Sequence, residues 1–194
     1  MLFATTNKGK IKEIREIVSE YGLCVKFLDE AGVPDLRVAE TGSTFFENAA
    51  AKAKAYAEFT GQPALSDDSG LEIDALGNEP GVDSALYMGA DTPYEIRNDA
   101  ILKRMENIPE ANRTARFICV VACAWPDGKI IFSEGLMKGF VARKPAGSNG
   151  FGYDPIFYLP QYQMTSAELP PETKNKISHR AEAVRRMCAT LAVL

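Results

Sequence analysis

Histidine occurs once in the 194 residues, tryptophan once, and cysteine only at Cys24, Cys119, Cys123 and Cys188. Cys119 and Cys123 lie in an apolar, β-branched run, where strand periodicity turns both to one face. They read as buried thiols, and with a single imidazole in the chain a zinc site is not expected. Reduced core cysteines point to a cytoplasmic location. Long apolar runs are also missing. The longest, Phe117 to Trp125, is far short of the roughly 20 residues that span a bilayer, so no membrane association is expected. The N-terminus has no charged lead before a long apolar stretch, so no signal peptide is expected. Nor is there a basic excess: 22 Lys and Arg against 26 Asp and Glu give a net charge of −4. That balance argues against a nucleic-acid partner. It leaves room for a small anionic ligand held by a few local lysines.

What remains is an ordinary globular composition, 46% hydrophobic and 25% charged, long enough to bury a sizeable core within one domain over 1–194. Leu2 to Ala4 reads as a strand. Ile11, Ile14, Ile17, Val18 and Tyr21 then recur at helical spacing, with Gly22 as the stop. Cys24 to Leu28 reads as a second strand. Thr44 with Glu47 forms a capping box that opens an alanine-rich helix closed by Gly61, and Leu71-Glu72-Ile73 alternates like a strand. Thr92-Pro93 predicts another helix with Pro93 at its first position, continuing to Ile108. Thr114–Trp125 and Lys129–Val141 are long strands joined by a turn at Pro126-Asp127-Gly128. Ser178 to Leu191 predicts the last helix. Interspersed strands and helices predict an α/β fold, a mixed sheet flanked by helices.

Five polar clusters interrupt this framework. Ser66-Asp67-Asp68-Ser69-Gly70 places two carboxylates side by side, an arrangement that favours either full hydration or a bridging cation. Glu40-Thr41-Gly42 offers a third carboxylate. Hard oxygen donors of this kind suit Mg²⁺, which takes one or two carboxylates plus substrate phosphates. Thr5-Thr6-Asn7-Lys8-Gly9-Lys10 stands between a strand and a helix start, where free backbone N–H groups and the helix dipole favour an anion, although the spacing is not that of a Walker loop. Gly147 to Pro155 flanks Phe151 with glycines, which suits a ring offered for stacking on a nucleobase. Lys174-Asn175-Lys176-Ile177-Ser178-His179-Arg180 makes a donor-rich face at the start of the last helix. Each cluster also has a plainer reading: an acidic turn, a helix cap with surface lysines, a loop with a buried Phe anchor, a solvated basic stretch. Together they read as Mg²⁺-dependent nucleotide chemistry, without specifying which bond breaks.

These same motifs, with Phe151-Gly152-Tyr153-Asp154-Pro155 and Ser178-His179-Arg180 in register, resemble the noncanonical purine nucleoside triphosphate pyrophosphatases, also called inosine triphosphatases or the Ham1-like family. The resemblance runs from residue 5 to 180. It implies a two-lobed subunit with a central cleft around a long mixed sheet, a homodimer, and Mg²⁺-dependent hydrolysis of ITP, dITP and XTP to monophosphate and pyrophosphate. It also implies roles: Thr5, Thr6, Asn7, Lys8, Gly9 and Lys10 on the triphosphate; Glu40 and Asp68 at the metal, with Asp67 a further candidate; Asp68 as proton acceptor; Ser69 on substrate. Phe151, Gly152, Tyr153, Asp154, Lys174, His179 and Arg180 would hold the base. Leu86 stands where many relatives carry arginine, and Ser148-Asn149-Gly150 replaces a more usual Thr-Gly-Gly. Two other classes compete with this reading: a nucleotide-binding module without hydrolysis, and a phosphohydrolase acting on ordinary or pyrimidine triphosphates.

Overall fold

The computed structural model describes all 194 residues. Its strands are Leu2–Phe3 (β1), Lys26–Phe27 (β2), Ala64–Ile73 (β3), Thr114–Ala124 (β4), Ile130–Val141 (β5), Phe157–Leu159 (β6) and Met164–Thr165 (β7). They form one sheet in the order β2-β1-β3-β4-β5-β6-β7. β1 runs parallel to β2 and β3, whereas β6 runs antiparallel to β5 and β7. The parallel neighbours need crossovers, and two helices supply them: Lys8–Ser19 (α1) and, after the short Leu28–Ala31 (α2), Phe45–Thr60 (α3). Tyr94–Arg104 (α4), Pro171–Ile177 (α5) and His179–Leu191 (α6) complete the helices. The α/β mixed sheet expected from the sequence is therefore the observed fold. No helix is long and apolar enough to cross a membrane.

The chain divides into two compact units, the first built from residues 1–69, 119–135 and 178–194, the second from 70–118 and 136–177. In the first, Ile14 and Ile17 of α1 are fully buried with Phe3, Phe27, Leu65, Val121, Val184 and Met187. Each such side chain contributes about 1.5–3 kcal/mol. Cys119 and Cys123 lie in this core on one face of β4, and burial pushes both thiols up to about 12, leaving them neutral and inert. The second unit has its own core of Leu71, Ile73, Ile101, Met105, Phe117, Val141 and Phe157. There the guanidinium of Arg113 is buried and donates to the carbonyls of Val141 (2.8 Å), Ala142 (2.7 Å) and Met105.

Several sequence expectations shift. Pro93 is the N-cap of α4, in extended conformation, rather than its first helical residue, and α4 stops at Arg104 short of Ile108. The second strand is only two residues long. Gly22 lies past the end of α1, whose C-cap is Glu20. Lys174 belongs to its own short helix, α5, and not to the start of the last one. The capping box at Thr44 and Glu47 forms as expected, and Gly61 ends α3 in the left-handed conformation at φ 63°.

One glycine marks a close approach. A Cβ on Gly135 of β5 would collide with the carbonyl of His179 and come within 2.6 Å of the Ala183 nitrogen on α6. Ser133, two residues earlier, donates to the Ala183 carbonyl at 2.8 Å. Gly135→Ala is expected to destabilise the protein by about 1–3 kcal/mol through overpacking, read as a lowered Tm. An unchanged Tm would mean that α6 shifts freely.

Candidate active site

The acidic run is not a turn. It lies in the interior of β3, with Ser66, Asp67 and Asp68 all buried. Successive strand residues face opposite ways, so the two carboxylates enter different surroundings. Asp67 Oδ2 receives Lys10 Nζ at 2.8 Å and lies 3.7 Å from Arg180 Nε, 3.5 Å from Ser69 Oγ and 3.9 Å from Cys119 Sγ. Its Oδ1 is buried with no hydrogen-bond partner. Burial alone would raise this carboxyl, but Lys10, Arg180 and Lys52 outweigh it and hold it near 2. Asp67 is a permanent anion.

Asp68 faces α3. Its Oδ2 accepts from Asn48 Nδ2 at 3.0 Å and its Oδ1 from the Ser69 N–H at 2.9 Å. Burial raises this carboxyl above its ordinary value, Glu40 adds to the rise, and Lys52, Lys10 and Asn48 only partly oppose it. Adjacent carboxylates whose environments drive them apart are how a protein separates a charge holder from a proton carrier.

Asn48 and Lys52 stand one helical turn apart on α3 and organise this face. Asn48 accepts from the Gly42 N–H at 2.8 Å, which ties the Glu40-Thr41-Gly42 loop to the same side chain that reaches Asp68. Lys52 bonds Glu40 Oε1 at 2.5 Å and donates to the Asp67 carbonyl at 2.6 Å. Neither residue was legible as functional in the sequence; their one signal was the i, i+4 pairing of polar residues in an alanine-rich helix.

The Thr5 to Lys10 segment joins β1 to α1. Asn7 caps α1 by accepting from the Lys10 N–H at 3.1 Å, and Thr5 Oγ1 accepts from the Asn7 N–H at 3.2 Å. Lys10 is turned onto Asp67, while Thr6, Asn7 and Lys8 are exposed. Across the same unit, Arg180 of α6 pairs with Glu13 of α1 at 2.5 Å and donates to Ser69 Oγ at 2.9 Å. Arg180 and His179 thus belong to the unit that carries the acidic strand, and Phe151 to the other.

As to a metal, the chain brings no three His, Cys, Asp or Glu side chains together as a ligand group. Glu40 and Asp68 are nonetheless two hard oxygen donors, and Glu40 is near enough to add to the rise of the Asp68 carboxyl. That set fits Mg²⁺ when phosphate oxygens complete its shell. Asp67 is committed to Lys10 and Arg180 instead.

In the second unit, Asp154 is the hub. Its Oδ2 accepts from the Phe151 N–H at 2.8 Å and bonds Lys174 Nζ at 2.5 Å, and its Oδ1 accepts from Ser166 Oγ at 2.9 Å. Gly150 has φ 74°, and a Cβ there would collide with Asp154 Oδ2 and approach Lys174 Nζ at 3.0 Å. The Lys174 ammonium lies 5.2 Å from the centroid of the half-buried Phe151 ring. Asn98 of α4 steadies the loop by donating to the Gly152 carbonyl at 3.2 Å. Tyr153 turns inward: it is buried, donates its hydroxyl to the Ser84 carbonyl at 2.8 Å, and meets Tyr94 edge-on at 5.2 Å. Asn149 donates to the Leu169 carbonyl at 2.9 Å. Leu86 is 53% exposed, in a segment that Arg97 fixes by donating to the carbonyls of Ser84, Ala85, Gly89 and Ala90.

Residues 1–190 match the model of the Ham1 family. A dITP/XTP pyrophosphatase of Desulforamulus reducens is 47% identical over 187 residues, covering 96% of this chain and 92% of that protein. One of Halalkalibacterium halodurans is 46% identical, covering 96% and 95%. Among solved structures, a HAM1 protein from Coxiella burnetii is 42% identical with a TM-score of 0.88, covering 100% of this chain and 98% of that one.

Proposed function

Because the chain belongs to the Ham1 family, we propose that it hydrolyses noncanonical purine nucleoside triphosphates (ITP, dITP and XTP) to the monophosphate and pyrophosphate. The observation that carries the reading is the divided pair on β3: a carboxylate locked into ion pairs beside one held above its ordinary pKa. Asp68 accepts the proton of the attacking water, a role that asks for a carboxyl tuned upward by burial. Lys10 and the first-turn amides of α1 receive phosphate oxygens, and Ser69, donor-bonded by Arg180, faces the same substrate. Glu40 and Asp68 hold Mg²⁺, which when bound offsets triphosphate charge and polarises the phosphorus.

In the second unit, the Phe151 ring stacks on the base and the Lys174 ammonium donates toward a 6-oxo group. Adenine presents an amino group there, so donor would meet donor and a buried group would be left unpaired, a mismatch that can discriminate by roughly 10⁴-fold. Phe151→Ala is expected to raise KM more than it lowers kcat, since stacking serves ground and transition states alike; steady-state kinetics on dITP would show it, and an unchanged KM would count against stacking. The same reading carries a cytoplasmic homodimer, which light scattering after size exclusion checks.

The direct test is product release from dITP and XTP, with ATP and GTP in parallel, in Mg²⁺ and then in EDTA. Pyrophosphate from dITP and XTP, little from ATP or GTP, and loss of activity in EDTA are expected. Orthophosphate as product would mean that a different bond breaks. Intact nucleotide in the presence of Mg²⁺ would leave a binding module.

A further inference from the structure

Lys52 holds a place that its residue type alone does not explain. Its Nζ bonds Glu40 Oε1 at 2.5 Å and the Asp67 carbonyl at 2.6 Å, and the side chain is only 15% exposed. An ammonium has three donors, so two of them are fixed, one on the Glu40 carboxylate and one on the backbone of the acidic strand. The ammonium thus offsets the Glu40 charge by direct contact, and its positive charge also favours the ionised Asp68 carboxyl. A Glu40 oxygen that the Mg²⁺ reading assigns to the metal is therefore already paired with a cationic side chain of the protein.

We propose that Lys52 is the resident counter-ion of the Glu40 carboxylate beside the acidic strand, displaced by a divalent cation and then taken up by the triphosphate. The proposal rests on the Mg²⁺ reading above. A Glu40 oxygen committed to an ammonium is a poorer ligand for a second cation, and a divalent ion beside that ammonium adds like-charge repulsion. Lys52 consequently weakens metal binding to the protein alone. When a triphosphate arrives, its oxygens offer the ammonium new acceptors and the opposition disappears. Metal and nucleotide then strengthen each other's binding by the same factor, because such coupling is reciprocal. Lys52 lies one turn from Asn48, which bonds Asp68, on the face of α3 turned to the acidic strand.

The test uses the full chain without nucleotide and Mn²⁺ as a paramagnetic stand-in for Mg²⁺, with the free ion counted by EPR. Lys52→Gln is expected to bind Mn²⁺ roughly tenfold more tightly than the native protein, a typical size for coupling between sites. Lys52→Arg, which keeps the charge, should stay near native affinity. In the native protein labelled with ¹⁵N-lysine, the Lys52 Nζ resonance should shift when Mg²⁺ is added, which decides the matter even if the glutamine variant fails to fold. Equal affinities in native protein and Lys52→Gln, weaker binding in the variant, or an unmoved Nζ resonance while Mg²⁺ binds would each overturn the counter-ion role alone. No metal binding by any of the proteins, with or without an α,β-methylene nucleotide analogue, would overturn the Mg²⁺ reading and this proposal with it.

Discussion

Asp68→Asn is expected to lower kcat by about 10²- to 10⁴-fold, the span that a positioned general base supplies, while nucleotide binding stays measurable. The substitution is nearly isosteric, and the amide keeps an oxygen for the Ser69 N–H or the Asn48 amide that now bond the carboxylate. What it loses is the lone pair that takes the proton. Folding should therefore be preserved and the defect confined to turnover. Pyrophosphate release, with calorimetric titration of a nonhydrolysable analogue, checks both halves. Near-native turnover would remove Asp68 from proton transfer. Asp67→Asn should behave differently, because it strips the counter-charge from Lys10 and Arg180 and so perturbs the first unit before it touches the chemistry.

Asp154→Ala should cost about 3–5 kcal/mol of stability, the range for breaking a buried charge pair from one side. Asp154 and Lys174 are 2% and 4% exposed, so the surviving ammonium would lose its carboxylate where water scarcely reaches. The Phe151 N–H and the Ser166 hydroxyl lose their acceptor in the same stroke. Denaturant unfolding at neutral pH gives the number, and a loss below about 1 kcal/mol would mean that the loop rearranges to shelter Lys174. The variant that survives should also show a raised KM, because the loop no longer presents the Phe151 ring. On this account Asp154 acts through Lys174 and Phe151 and need not touch the base itself.

How much of this was legible beforehand varies by residue. The capping box at Thr44 and Glu47 and the start of α6 at Ser178 were readable because a cap is a local contact between residues three apart. Pro93 was misplaced by one position because the same dipeptide serves a helix as N-cap or first residue, and only the dihedrals decide. The acidic run read equally well as a turn, since Ser, Asp and Gly are turn residues by preference. Its burial in β3 depends on the strand lying inside the sheet between β1 and β4, with α3 meeting one face and α1 and α6 the other, so that Lys10, Lys52 and Arg180 arrive from distant segments. Asn48, Lys52 and Glu13 escaped notice for the same reason: each is an unremarkable residue on a helix until the chain folds.

The sequence by itself determined the class of protein. The acidic balance argued against a basic nucleic-acid surface and the apolar runs were too short for a spanning helix, the periodicities set the α/β order of elements, and five motifs in register identified the family. Those are properties of short windows and totals, and they survive without coordinates. Only the tertiary structure decided the roles inside the site. Asp67 and Asp68 are adjacent and identical in type, yet one becomes a fixed anion near 2 and the other a carboxyl held above its ordinary value. The physical reason is that a pKa reports the charges and the water within a few ångströms. Strand alternation sends the two side chains into different neighbourhoods, furnished by residues that lie far away along the chain.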